Sequence, residues 1–165
     1  MKSGLTIRED NYSSVLDALK QLSGTDVLVG IPAGPPRDDT PLSNAEIGYL
    51  QSTGATVEID AEVVTLPPRP FLDMGIEDSR DKTTERLKLA AQAALEGNAG
   101  VAEQHLEAAG QIASSASKAV IGAGDRLTPL SEKTKAKRRK NGQDFKPLYD
   151  THSLMDSITY VVRKK

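Results

Sequence analysis

The sequence predicts an α+β fold: a small, mainly antiparallel sheet packed by two long helices, with a long polar loop before a C-terminal strand. Three observations carry this. Residues 71–95 and 101–121 form two long helical patterns separated by Gly97-Asn98-Ala99-Gly100. Three short β-rich segments, residues 27–31, 57–64 and 157–162, are expected to form the sheet together. The chain has 165 residues, enough for one domain (1–165) with one core.

The elements follow in order. Asn11 or Ser13 is placed to cap a helix through Leu22, with Val15, Leu16, Leu19 and Leu22 at helical spacing and Ser23-Gly24 ending it. Residues 26–32 read as a buried strand stopped by Pro32, and 33–41 as a Gly/Pro/Asp loop. Ser43 or Asn44 caps a helix carrying Ala45, Ile47, Gly48 and Leu50 that ends near Gly54. In 56–66, Val57, Ile59, Ala61 and Val63 alternate with polar residues, which predicts one half-buried strand. Residues 66–70 are too proline-rich for a central strand and deliver the chain into the helix beginning at Phe71.

In the second long helix, Ala102, Leu106, Ala109, Ile112/Ala113, Ala116 and Val120 follow 4-3-4 spacing. Gly110 and the alanines allow a neighbour to come close, either the preceding helix or the sheet. Gly122-Ala123-Gly124 follows a helix instead of opening one, so it reads as a C-terminal stop and not a nucleotide-binding turn. Residues 126–149 show no periodicity and read as an extended basic loop. After Pro147, Asp150 or Thr151 caps one helical turn bearing Leu154 and Ile158, and a strand runs to Val162. The expected core includes Phe71, Leu72, Leu87, Leu106, Ile112 and Val120.

The absence of cysteine excludes disulfides and thiolate chemistry. Residues 1–4 contain no apolar leader, and no run approaches the ~18 apolar residues of a membrane span, so a soluble protein is expected. Charge is divided. From residue 126 onward there are 11 basic and 4 acidic side chains, a net of +7, which leaves −9 on residues 1–125 within the overall −2. Such asymmetry suits a polyanion, or the acidic body of a second copy in a head-to-tail assembly.

Lys133, Lys135, Lys137, Arg138, Arg139 and Lys140 place six cations in eight positions. They fit phosphate contact, an acidic protein surface or a solvated loop; without interleaved aromatics, base stacking does not fit. Glu58, Asp60 and Glu62 alternate along one expected strand face, a complementary acidic surface. Arg69 presents a fork of donors on a proline-stiffened arm; the arm either positions Arg69 and Phe71 at an interface or anchors Phe71 in the core. Asp38-Asp39 is compatible with loose cation binding only. His105 and His152 have no partners at metal-ligand spacing, and Asp150, His152 and Ser153 are too close in sequence for a catalytic triad. No cofactor or metal is expected, and no enzyme activity.

An ordered set of motifs then narrows the reading. Residues 44–50 (Asn44-Ala45-Glu46-Ile47-Gly48-Tyr49-Leu50) with Gly54 come first, then Pro68-Arg69-Pro70-Phe71-Leu72. Leu127-Thr128-Pro129-Leu130-Ser131 follows, leading to Thr134 and Lys135, and last come Pro147-Leu148-Tyr149-Asp150-Thr151, Leu154 and Ser157-Ile158. Together they resemble the small tail-completion (neck, minor-tail or virion-morphogenesis) proteins of tailed bacteriophages. His152 departs from that pattern, standing where a glycine is usual.

The resemblance implies a structural virion protein assembled in the host cytoplasm, forming a hexameric ring at the head-to-tail joint around the DNA passage. Its partners would be itself and adjoining neck and tail proteins, with non-specific proximity to packaged DNA and no membrane. A nucleic-acid-binding accessory protein using 133–140 is the alternative, and a tail-terminator or tail-tube role is the neighbouring one.

Overall fold

The computed structural model describes residues 12–59, 61–149 and 152–165. The elements are α1 (Tyr12–Ser23), β1 (Thr25–Gly30), α2 (Asn44–Thr53), β2 (Ala55–Ile59), β3 (Glu62–Leu66), α3 (Phe71–Leu95), α4 (Ala99–Ala123), α5 (Glu132–Lys140), α6 (Ser153–Asp156) and β4 (Thr159–Lys164). The α+β class holds: α3 and α4 pair, and a small antiparallel sheet lies on them. No helix among the described residues is long and apolar enough to cross a membrane.

The α3–α4 pair is built on small residues. The inward line of α3 runs through Gly75, Ser79, Ala90 and Ala93; that of α4 runs through Ala102, Ala109, Ala113, Ser117 and Val120. Ser79 and Ser117 are buried, and each hydroxyl donates to a carbonyl one turn back, to Gly75 at 2.9 Å and to Ala113 at 3.0 Å. These self-satisfied serines let the two backbones approach without stranding a polar atom. The reversal between the helices uses Gly97 at φ +80°, with the Asn98 amide donating to the Ala93 carbonyl and the Gly97 amide to that of Ala94. This is a Schellman closure, and glycine supplies its left-handed residue at no steric cost.

β1 and β4 pair antiparallel from Thr25↔Lys164 to Gly30↔Thr159, joining the two ends of the described chain. The inner face rests on α4, where Tyr160 lies across Gly110; a β-carbon at Gly110 would stand 2.3 Å from the Tyr160 ring. The close approach expected of α4 is therefore made to both candidate neighbours. Two strands alone are marginal in water, so α4 is what stabilises this sheet. The expectation of a buried first strand is corrected: β1 is only half-buried, because Leu28 and its cross-strand partner Val161 face outward.

On that outward face Asp26 bonds Arg163 at 3.2 Å and Lys165 at 3.1 Å, which hold its carboxyl below the usual range, Lys165 most strongly. A carboxyl with a depressed folded pKa contributes stability above its unfolded pKa and loses it as pH falls through the folded one. Asp26→Asn is therefore expected to lose less melting temperature than the native chain between about pH 6 and pH 3. Equal acid sensitivity of the two would remove this clasp from the account.

Other expectations are corrected by the structure. Residues 56–66 form two strands, not one: β2 and β3 make a hairpin turned at Ala61 (φ +61°), and it pairs with itself, not with β1–β4. Residues 126–149 are not a continuous loop, since α5 occupies their centre. Leu87 falls off the inward line of α3 and is 43% exposed. Leu72 and Ile112 are half-buried, while Phe71, Leu106 and Val120 are buried as expected. Asn11, Asp150 and Thr151, the expected caps, lie outside the described residues, and Ser13 falls within α1.

Candidate functional site

Ser43 begins α2 with a reciprocal cap: its hydroxyl accepts from the Glu46 amide, and the Glu46 carboxylate accepts from the Ser43 amide at 2.8 Å. That pairing holds the Glu46 carboxyl below its usual range. Gly48 is buried on the face of α2 that meets the core: a β-carbon there would press on the tip of the Ile31 side chain at 2.7 Å and touch Leu154 at 3.5 Å and Phe71 at 3.8 Å. α2 is thereby seated against the main core cluster of Phe71, Val120, Ile121, Leu127, Leu154 and Ile158, with Ile47 and Leu72 packed against it.

The proline arm then turns Arg69 inward. Arg69 is 5% exposed; its guanidinium donates to the Thr128 carbonyl at 2.7 Å, the Pro129 carbonyl at 3.1 Å and Gln51 Oε1 at 3.0 Å. The Arg69 amide also donates to the Gln51 carbonyl at 2.8 Å, and the Thr128 hydroxyl to the Pro68 carbonyl at 3.2 Å. Phe71 is fully buried. Of the two readings of the arm, the one that anchors Phe71 in the core holds, and the one that places Arg69 and Phe71 at an interface is corrected on this ground. A fork of donors has been spent inside the protein, joining α2, the arm and the segment that launches α5.

The C-terminal segment closes the same unit. Leu154 and Ile158 enter the core cluster, and Ser153 at the start of α6 exchanges hydrogen bonds with Asn44 at 3.2–3.3 Å. His152 adopts φ +59°, left-handed geometry uncommon for a residue other than glycine, and its ring meets Tyr149 edge-on with ring centroids 4.1 Å apart. His152 and Ser153 are thus occupied in structure, and Asp150 lies outside the described residues. His105 approaches Arg86 at 3.4 Å, away from His152's turn. Among the described residues no group of three or more metal-ligating side chains assembles.

α5 sorts the basic run by helical phase. Ser131 caps it, accepting from the Thr134 amide at 3.2 Å, with Glu132 in the first turn and four cations in the last, which suits the helix dipole at both ends. Lys135 and Arg138 turn inward: Lys135 pairs with Glu132 at 2.7 Å, and Arg138 donates to the Asp144 carbonyl at 2.8 Å and the Lys146 carbonyl at 3.1 Å. Lys133, Lys137, Arg139 and Lys140 are exposed. Lys133 pairs with Glu62 on the hairpin and lowers its carboxyl pKa; Arg139 stands 5.8 Å over the Phe145 ring. Lys137 and Lys140 hold no ion pair among the described residues, so they are the cations free for a partner.

The expected acidic strand face does not exist as one face. Glu58 lies across from Val63, so Glu62, the residue before Val63, falls on the opposite side of the hairpin; Asp60 lies outside the described residues. The hairpin itself touches the rest of the protein lightly and exposes Val63 at 76%. Sequence reasoning missed Gln51, Thr128 and Pro129 as partners of Arg69. Ser131 three residues before Thr134 was the available signal for α5. No family profile, curated protein or solved structure matches this chain.

Proposed function

We propose that this chain is a structural subunit of a tailed-phage virion. In this reading it sits at the head-to-tail joint, where copies close the head-proximal end of the tail as a ring around the DNA passage. One observation carries the reading. The motif pieces that resemble tail-completion proteins are scattered over more than a hundred residues of chain, yet they meet around one core. Asn44 bonds Ser153, Arg69 bonds Gln51, Thr128 and Pro129, and Phe71, Leu127, Leu154 and Ile158 share a cluster. Motifs that form one folding unit support kinship of the whole domain more strongly than separate short matches do.

The surfaces suit assembly. Among the described residues, the β1–β4 sheet has two strands and hence two unpaired edges, and the β2–β3 hairpin projects with Val63 bare. The exposed cations of α5 stand against a body of net negative charge, the complementary pair of patches that a head-to-tail ring requires. Function in this reading comes from contacts with copies of itself and with adjoining neck and tail proteins, not from catalysis.

The test is charge reversal confined to the outer face of α5. Lys137→Glu, Arg139→Glu and Lys140→Glu together are expected to abolish ring assembly, read by electron microscopy and sedimentation, while shifting the melting temperature little. Arg138 is left in place because its bonds are internal. Intact rings from the triple variant would exclude α5 from the interface.

A further inference from the structure

Beside Arg69 lies a cleft of about 440 Å³, between the hairpin, α2 and the start of α5. Arg37, Arg69 and Arg138 all line it, with Asp39, Ser131 and Thr134. Asp39 pairs with Arg37 at 3.2 Å, and its side chain is 66% exposed. Arg69 is different. It is nearly fully buried, and its acceptors are two backbone carbonyls and a neutral amide, so its hydrogen bonds are met while its charge is not. Arg138 likewise bonds only backbone carbonyls. Among the described residues neither arginine has a carboxylate partner.

Buried charges in proteins are ordinarily paired, because desolvating an ion without a counter-ion costs several kcal/mol (roughly). Here the second cation makes the cost larger: burial, and after it the charge of Arg138, pull the Arg69 pKa below its usual value. Arg69 keeps two of its five N–H donors beyond its three internal bonds, and Arg138 bonds through Nη1 alone, so two guanidinium groups facing one cleft still offer charged donors to an oxyanion.

We propose that this cleft binds an oxyanion group, a phosphate or a carboxylate, held between Arg69 and Arg138 with the Ser131 and Thr134 hydroxyls at its rim. The bound anion supplies the counter-charge that the fold omits and ties the start of α5 to the arm. The site is independent of the virion reading: a soluble anion, a nucleic-acid phosphate or an acidic side chain of a second copy presents the same chemistry.

The experiment is thermal melting and calorimetric titration of the full chain with inorganic phosphate, against chloride at matched ionic strength, with acetate as a parallel probe. Phosphate is expected to raise the melting temperature saturably. Arg138→Gln should weaken the apparent affinity at least ten-fold, whereas Lys137→Gln, the same charge change on the outer face of α5, should leave it unchanged. Thr134→Asp, which places a carboxylate at the rim, should abolish the response and covers the case in which Arg138→Gln fails to fold. Saturable binding of acetate as well as phosphate also supports the site, and marks a protein carboxylate as an acceptable occupant. A response that never saturates, or one equally reduced in Lys137→Gln and Arg138→Gln, would overturn the proposal and leave general charge screening as the cause.

Discussion

Alanine at position 75 is expected to be among the most damaging single-methyl additions in this chain. A β-carbon there would stand 2.3 Å from the Ser117 α-carbon and 2.4 Å from its amide nitrogen. The obstruction is backbone, so no side-chain rotation relieves it, and α3 and α4 must separate along their shared line of small residues. Helix propensity favours alanine over glycine by about 1 kcal/mol, but overpacking of a rigid contact costs about 1–3 kcal/mol and sometimes more. The strain wins here because the separation propagates along two helices of 25 residues each. A net loss of about 3 kcal/mol is expected, a fall in melting temperature of roughly 10 °C for a domain of this size. Gly100→Ala is the control: nothing lies within 4 Å of the added carbon, so it should be neutral or slightly stabilising. If both variants melt alike, the close approach of the helices is not what the pair depends on.

Arg69→Ala has an effect of similar size by a different route. It strands the carbonyls of Thr128 and Pro129 and the Gln51 side chain around a void, and unmet buried acceptors cost about 1–3 kcal/mol each. A total near 3–5 kcal/mol is expected, offset in part by removal of the buried charge. The loss should be local first, because Arg69 joins the arm to the strand of chain leading into α5. Amide exchange in 127–140 should accelerate before exchange in α3 and α4. Arg69→Lys should restore little, since a single ammonium cannot reach three acceptors arranged for a fork. Uniform acceleration across the chain, or full rescue by lysine, would contradict the clip.

Much of the architecture was legible in the sequence because its signals are local. Ser43 with Glu46 marks a capped helix start, Pro70-Phe71 opens α3, and the 4-3-4 stripe of α4 identifies its buried face down to the small residues that admit a neighbour. Leu154 and Ile158 announced a docked C-terminal turn. The misreadings share a cause as well. α5 is polar on every side, so apolar periodicity could not reveal it; its support comes from the Ser131 cap and from charges suited to the helix ends. The alternation in 56–66 continues through a hairpin turn, and alternation alone does not register a reversal between Ile59 and Glu62.

The site was legible as composition but not as geometry. Six cations were visible, yet only the helical phase separates inward Lys135 and Arg138 from outward Lys133, Lys137, Arg139 and Lys140. Arg69, a fork of donors on a proline-stiffened arm, reads from sequence as an interface residue. What buries it is a set of carbonyls brought from about 60 residues away in the chain, a long-range contact that no local pattern encodes. No local pattern around His152 announces its φ of +59°.

The central claim, a subunit built to assemble into a ring, is tested most directly by mass-resolved light scattering of the purified chain at low and high salt, with and without short duplex DNA. The account predicts one discrete oligomer that forms without DNA and loosens as salt screens the contact between α5 and the acidic body. A monomer that instead takes up duplex, with affinity falling steeply as salt rises, would contradict it and assign the exposed cations of α5 to nucleic-acid phosphates.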